Sequence, residues 1–170
     1  MNNLIKLTAG QARIITDDAW TLLRDSVGEW PAGPLILPLA LWREWAPAPV
    51  LAGQQPSLHG VCLAPDDEPQ TLQPWLGVLP LIALEFPGFA DGRGYSQAYA
   101  LRSRLGWRGE LRAVGDVLRD QLSHMRHCGF DAFAVRADKS VEDALKGLAG
   151  ISVQYAPSVL EPLPLFRRRG

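Results

Sequence analysis

The residues best suited to chemistry lie in the run Asp91-Gly92-Arg93-Gly94-Tyr95-Ser96-Gln97. Two glycines bracket an arginine directly after an aspartate. Glycine tolerates positive φ and lets backbone approach closely. Free N–H groups opening a helix, together with its dipole, attract an anion. Arg93 adds a two-pronged grip suited to phosphate, sulfate or carboxylate, and Ser96 lies in the same first turn. The alternative is a tight turn in which Asp91 and Arg93 pair with each other or cap the helix. The spacing G-x-G-x-x-Q lacks the third glycine of a dinucleotide fingerprint, and it is not a P-loop.

Further candidates follow at similar intervals. Asp116, directly after Gly115, is either a helix N-cap or a general base at a strand edge. Arg112 and Arg119 either complete a structural ion-pair network or face an acidic ligand. Glu85 closes an otherwise apolar strand, where a carboxylate is costly unless paired. It reads as one half of an ion pair or as a second candidate base. His124, His127 and Cys128 share one helix, but His59 and Cys62 are the only other His or Cys residues. That set points to no metal. Cys128 at a helix C-terminus faces the wrong end of the dipole for an activated thiolate. No cofactor motif is evident: there is no four-cysteine cluster pattern and no nucleotide fingerprint.

The elements that must hold these residues follow from hydrophobic period and turn chemistry. Leu4–Leu7 and Ala12–Thr16 flank Ala9-Gly10 and predict a hairpin. Residues 19–25 predict a short helix capped by Asp17 or Asp18. EWPAGP, APAPV and GQQPS break the next stretch into loops. From residue 60 strand and helix alternate. Strands are expected at 60–65, 81–86, 110–115, 130–136 and 151–156. Helical segments are expected at 66–77, 95–105, 116–128 and 140–148, with Asp116 and Ser140 as N-caps and Gly106 and Gly129 as stops. This alternation predicts an α/β fold with a mostly parallel sheet, either doubly wound or a partial barrel. The length suits one domain: an N-terminal hairpin and Pro/Gly-rich part (1–58), a strand–helix core (59–156) and a Pro/Arg tail (157–170). Ligands of open α/β sheets bind outside the carboxyl ends of the strands. That rule gathers Glu85, Asp91, Arg93, Ser96, Gln97, Gly115, Asp116, Arg119, Arg136, Asp138 and Lys139 on one edge, with Arg112 just inside it.

Composition narrows the function classes. Lys and Arg number 17 and Asp and Glu 18, for a net charge of -1. That balance argues against nucleic acid as the main partner. Arg167-Arg168-Arg169 reads as a solvated tail. Two cysteines suit a reducing compartment. The most apolar runs, 34–42 and 75–84, are too short to span a bilayer, and the first ten residues lack a signal-peptide core. The expectation is a soluble, cytoplasmic protein without a membrane partner. The sequence leaves its oligomeric state open.

The block DGRGYSQAYALRSRLGWRGELRAVGDVLRDQLSHMRHCGFDAF (91–133), with APDDEP and LIALEF upstream, resembles the bacterial domain of unknown function family numbered 934. The resemblance is strong over roughly 60–135 and weaker before it. It covers Asp91–Ser96, Arg102, Gly109, Glu110, Arg112, Gly115, Asp116 and Arg119–Gln121. His124 and His127 depart from it. The resemblance implies a link to sulfite reduction and to oxidoreductases, because members' genes adjoin that of the sulfite reductase haemoprotein. It carries no catalytic residue. Three functions are therefore expected: an accessory protein of assimilatory sulfite reduction that binds a small anion or the reductase, a small enzyme acting on a phosphorylated or sulfated metabolite, or a protein-interaction module without catalysis.

Overall fold

The computed structural model of the protein describes residues 1–148. The strand expected at 151–156 and the tail at 157–170 lie outside them. Eight strands form one sheet: β1 (Leu4–Thr8), β2 (Gln11–Ile15), β3 (Thr21–Leu22), β4 (Leu35–Pro38), β5 (Gly60–Leu63), β6 (Leu81–Phe86), β7 (Glu110–Gly115) and β8 (Ala132–Ala134). Their spatial order is β2-β1-β8-β7-β6-β5-β4-β3. From β3 to β8 each strand lies parallel to the next in sequence, while β1 is antiparallel to β2 and β8. An order that never reverses, joined by right-handed crossovers, puts the connecting helices on one face. The protein is thus a half-barrel rather than a doubly wound sheet, and it has no topological switch point.

Five short helices connect or follow the strands: α1 (Leu39–Trp45), α2 (Ala48–Leu51), α3 (Arg93–Tyr99), α4 (Leu122–Cys128) and α5 (Val141–Leu145). Their apolar sides and the outer face of the sheet make the main core, with Leu37, Leu63, Ile82, Leu84, Phe86, Leu111 and Phe133 buried in it. The continuous apolar run LIALEF is buried on both faces because alternate residues serve two cores. Ile82, Leu84 and Phe86 join the helices, whereas Leu81 and Ala83 join a smaller inner cluster with Ile36, Cys62 and Val114. Met1, Trp20 and Leu22 pack against that inner cluster.

The predicted hairpin is β1–β2. Ala9 (φ 51°) and Gly10 (φ 78°) both take the left-handed conformation that a two-residue turn requires. Ser140 caps α5 as expected, its Oγ accepting from the Asp143 N–H. Gly129 (φ 112°) ends α4.

Four expectations are corrected. Residues 19–25 hold strand β3, not a helix, because Asp18 is drawn to the sheet by a buried partner rather than capping a turn. The Pro-rich stretch holds β4, α1 and α2. Pro38 and Pro47 are the N-caps of α1 and α2, and Pro49 lies in the first turn of α2, where a missing N–H costs nothing. Asp116 does not cap a helix. Helical structure begins later, with a 3-10 turn at Arg119–Gln121, and the Gln121 side chain accepts from the Leu118 N–H. The segment expected as a helix at 95–105 starts at Arg93 and widens into an i→i+5 turn at Ala100–Arg104.

The buried partner of Asp18 is Arg112. Arg112 lies on the inner face between Ala83 and Ala132, which pair with it across β6 and β8. These small neighbours leave room for a guanidinium that is fully buried. It grips Asp18 with two bonds of 2.9 Å and Glu110 at 2.7 Å. Lys6 reaches Glu110 at 3.2 Å, and the Met1 amine reaches Asp18 at 3.0 Å. Burial pushes the Asp18 carboxyl up, but the hydrogen bonds from Arg112 and the amine outweigh it and hold the pKa below its ordinary 3.8.

Asp18→Asn would leave a buried guanidinium short of its counter-charge. It is expected to cost about 3–5 kcal/mol in urea unfolding, and the double variant Asp18→Leu/Arg112→Met to regain most of that. A double variant no better than the single would show that the pair does more than neutralise itself. Because the folded pKa of Asp18 is depressed, its contribution is whole above about 3.8 and is lost as the pH falls from there through the folded value. Unfolding midpoints should therefore drop across that acid window in the wild type, and less steeply in the double variant.

Candidate functional site

The carboxyl ends of six parallel strands share one edge, which is where barrel-type folds place their working groups. On it stand Arg24 after β3, Ala64–Asp67 after β5, Glu85 near the end of β6, Asp91–Ser96 after it, Gly115 and Asp116 at the end of β7, and Arg136–Ser140 after β8. All the expected site residues except Arg112 lie along this edge. Arg112 lies inside the sheet, walled off by the cluster just described. It is accounted for as a structural cation because alternation turns it inward between two alanines.

The Asp91–Ser96 turn takes the paired form. Arg93 Nη2 and Nε bond the two Asp91 oxygens at 2.7 and 3.0 Å, and Nη1 pairs with Asp66. The hydrogen bonds from Arg93 hold the Asp91 carboxyl at about 2. Gly92 has φ −92°, so no left-handed geometry is used there. Gly94 serves close approach instead: an added Cβ would stand 2.6 Å from the Phe86 ring. Ser96 is exposed on the first turn of α3.

Gly115 is required on both counts. Its φ is 97°, and an added Cβ would meet the Phe86 carbonyl oxygen at 2.4 Å and Glu85 Oε1 at 3.1 Å. The turn it permits brings the Asp116 N–H onto the Phe86 carbonyl at 2.7 Å. The Asp116 carboxylate then accepts from Arg136 at 2.7 Å. Arg136 also holds Asp138, and these bonds, Asp138 first, push its pKa up. Arg119 pairs with Asp143 at 3.1 Å. Beside it a cavity of about 350 Å³ opens, lined by Arg119, Asp120, Lys139, Ser140 and Asp143.

A second pocket, of about 260 Å³, lies at the ends of β3 to β6. Leu22, Leu23 and Pro38 form its apolar wall, and Arg24, Cys62, Asp67 and Glu85 supply its polar groups. Arg24 pairs with Glu85, which also faces the Cys62 thiol at 3.9 Å. Burial, then the nearby Glu85 charge, pushes that thiol up to about 12, so it is a neutral floor group and not a nucleophile. Gln97 fixes the loop beside it. Its Nε2 donates to the carbonyls of Ala64 and Asp67 at 2.8 and 2.9 Å.

The sequence reading foresaw that Glu85 needs a cation, but not that Arg24 supplies it. It passed over Cys62 and Asp67 as well. The only available signal was indirect. Placing 21–22 in a strand would have put Arg24 at the same edge as Glu85.

The helical histidine group gathers no ligand set. His124 Nε2 lies 3.8 Å from Cys128 Sγ and its ring packs at a tilt against Tyr95, while His127 turns to the Ser123 carbonyl. Among the described residues no three His, Cys, Asp or Glu side chains converge as metal ligands, and no helix is long and apolar enough to cross a membrane.

These features define a half-barrel α/β protein with paired charges and cavities along its strand-end edge. The chain belongs to the family of bacterial proteins of unknown function designated DUF934, whose model matches residues 60–166. No curated protein matches the sequence.

Gly115→Ala forces a side chain into a left-handed turn and against the β6 backbone. A loss of about 1–3 kcal/mol is expected in chemical denaturation. An unchanged midpoint would show that the β7 end can relax away from Phe86.

Proposed function

We propose that the protein is an accessory factor of assimilatory sulfite reduction, which docks on the sulfite reductase haemoprotein through its strand-end edge and holds a small anion there. The link to sulfite reduction rests on the family resemblance of residues 60–135. The observation that carries the mode of action is the form of the edge. Arg24, Arg93, Arg119 and Arg136 each stand there in a carboxylate pair. Exposed pairs of this kind add little to stability, yet alternating charge of both signs steers a partner and fixes its register.

The anion belongs beside Arg119. The 350 Å³ cavity adds Lys139 to that guanidinium. Sulfite or sulfate can draw Arg119 away from Asp143, an exposed partner that water already competes for. Of the two candidate bases, Asp116 accepts from Arg136 and Glu85 from Arg24. Each is thus engaged by a cation in a way that suits recognition better than proton abstraction.

Two measurements test the reading. Immobilised protein should retain sulfite reductase, and the double reversal Arg93→Glu/Arg136→Glu should lose it with folding intact. Melting in sulfite and in sulfate should raise the Tm of the wild type but not of Arg119→Ala. Equal retention by the reversed protein would reject docking at this edge, and a melting point indifferent to both anions would reject the anion site.

A further inference from the structure

We infer that the pocket between β3 and β6 binds a small zwitterion, an ammonium and a carboxylate carried on one short apolar body, as in a small α-amino acid. The pocket is distinct from the Arg119 cavity, and its charges are arranged differently. Among the described residues Arg24 is the one cation in it, set against two carboxylates, Glu85 and Asp67. A purely anionic ligand would enter a formally negative pocket, and a purely cationic one would leave the guanidinium donors unused. A zwitterion answers both.

The hydrogen-bonding capacity left over has the same character. Among the described residues Arg24 donates only from Nη1, to Glu85, so Nε and Nη2 remain for a carboxylate. Glu85 Oε2 meets only the weak Cys62 donor at 3.9 Å. Asp67 Oδ2 accepts from the Ala64 N–H at 2.7 Å, and its other oxygen is free for an ammonium. These acceptors are held in place before any ligand arrives. Glu85 lies on a central strand, and Gln97 pins the Asp67 loop by two carbonyls. Such preorganisation lowers the cost of binding.

Size and wall complete the description. Pockets for drug-sized ligands run from roughly 300 to 1,000 Å³, and this one, at about 260 Å³, is smaller. Leu22, Leu23 and Pro38 offer an apolar wall that suits a short side chain and does not suit an inorganic oxyanion.

The test is thermal melting of the full chain in glycine, L-alanine, L-serine and L-cysteine, with acetate, ethylamine and sulfate as single-charge controls. At least one amino acid is expected to raise the Tm by several degrees while the controls leave it unchanged. Arg24→Ala, which also takes the partner from Glu85, should melt below the wild type and show no amino-acid-dependent rise from its own baseline. Asp67→Asn, which keeps an acceptor for the Ala64 N–H, should weaken it at least tenfold in ligand concentration. The proposal is overturned if no amino acid shifts the wild type, if acetate or sulfate shifts it as much, or if the shift survives Arg24→Ala. Retention of sulfite reductase is measured separately with the edge reversals, so docking and zwitterion binding can each fail alone.

Discussion

The buried guanidinium of Arg112 is the constraint from which most of this architecture follows. A cation without water is tolerable only when its partners are close and well aligned. Glu110 is available on the same strand, but the second carboxylate must come from elsewhere. It comes from Asp18, 94 residues away in sequence. Bringing Asp18 onto the inner face of the sheet fixes the path of the chain on both sides of it. Before it the hairpin is held against β8, and after it residues 21–22 are delivered as an edge strand beside β4. The same crossing lays Met1 and Trp20 over the inner apolar cluster.

That covering solves a problem peculiar to half a barrel. A closed barrel fills its interior with layers of its own side chains. Six parallel strands that stop short of closure expose the face that those layers would fill. Here small residues, Ala83, Ala132 and Ala134, keep the inner layer thin, and the N-terminal segment serves as its lid. The two edges are treated differently. The β8 edge is extended by the antiparallel hairpin, against which α5 packs. The β3 edge is only two residues long, which limits its appeal as a template for pairing.

What could be read from the sequence divides along the same line. The strands from β5 to β8, the stop of α4 at Gly129 and the cap of α5 at Ser140 were legible because each depends on local period and a glycine or serine at its end. The hairpin was legible for the same reason, since Ala9-Gly10 names its turn. The region between the hairpin and residue 60 was not. Its prolines look like breaks when counted along the chain, yet Pro38 and Pro47 stand where helices begin. Asp18 looked like a cap because capping is the commonest local use of an aspartate, and its true partner is remote. Arg112 looked like a ligand group for the matching reason. An arginine inside an apolar strand implies a nearby carboxylate, but the sequence does not say whether protein or ligand provides it. The edge itself was placed correctly by topology, while the pairing along it, Arg24 with Glu85 and Arg136 with Asp116, depended on contacts across different strands.

Buried charge and solvent-facing charge are therefore assigned to different layers of the same strands. On β7, Arg112 spends its charge inside the sheet, where an unpaired group would unfold the protein. Three residues later Gly115 gives up a side chain altogether so that the strand end can turn onto Phe86. That turn sets Asp116 against Arg136 and leaves the space above Glu85 unfilled, since a side chain at 115 would crowd Glu85 Oε1. On β6 the pattern repeats, with Ala83 making room for the buried cation and Glu85, two residues on, presented to the pocket. A short step along each strand thus separates a group that cannot change partners from one that can. The edge pairs are exposed enough to exchange a protein carboxylate for that of a ligand or a partner, whereas the Arg112 cluster is not. Such an edge can be rebuilt without disturbing the sheet, because the charge that holds the sheet together is not among those offered to solvent.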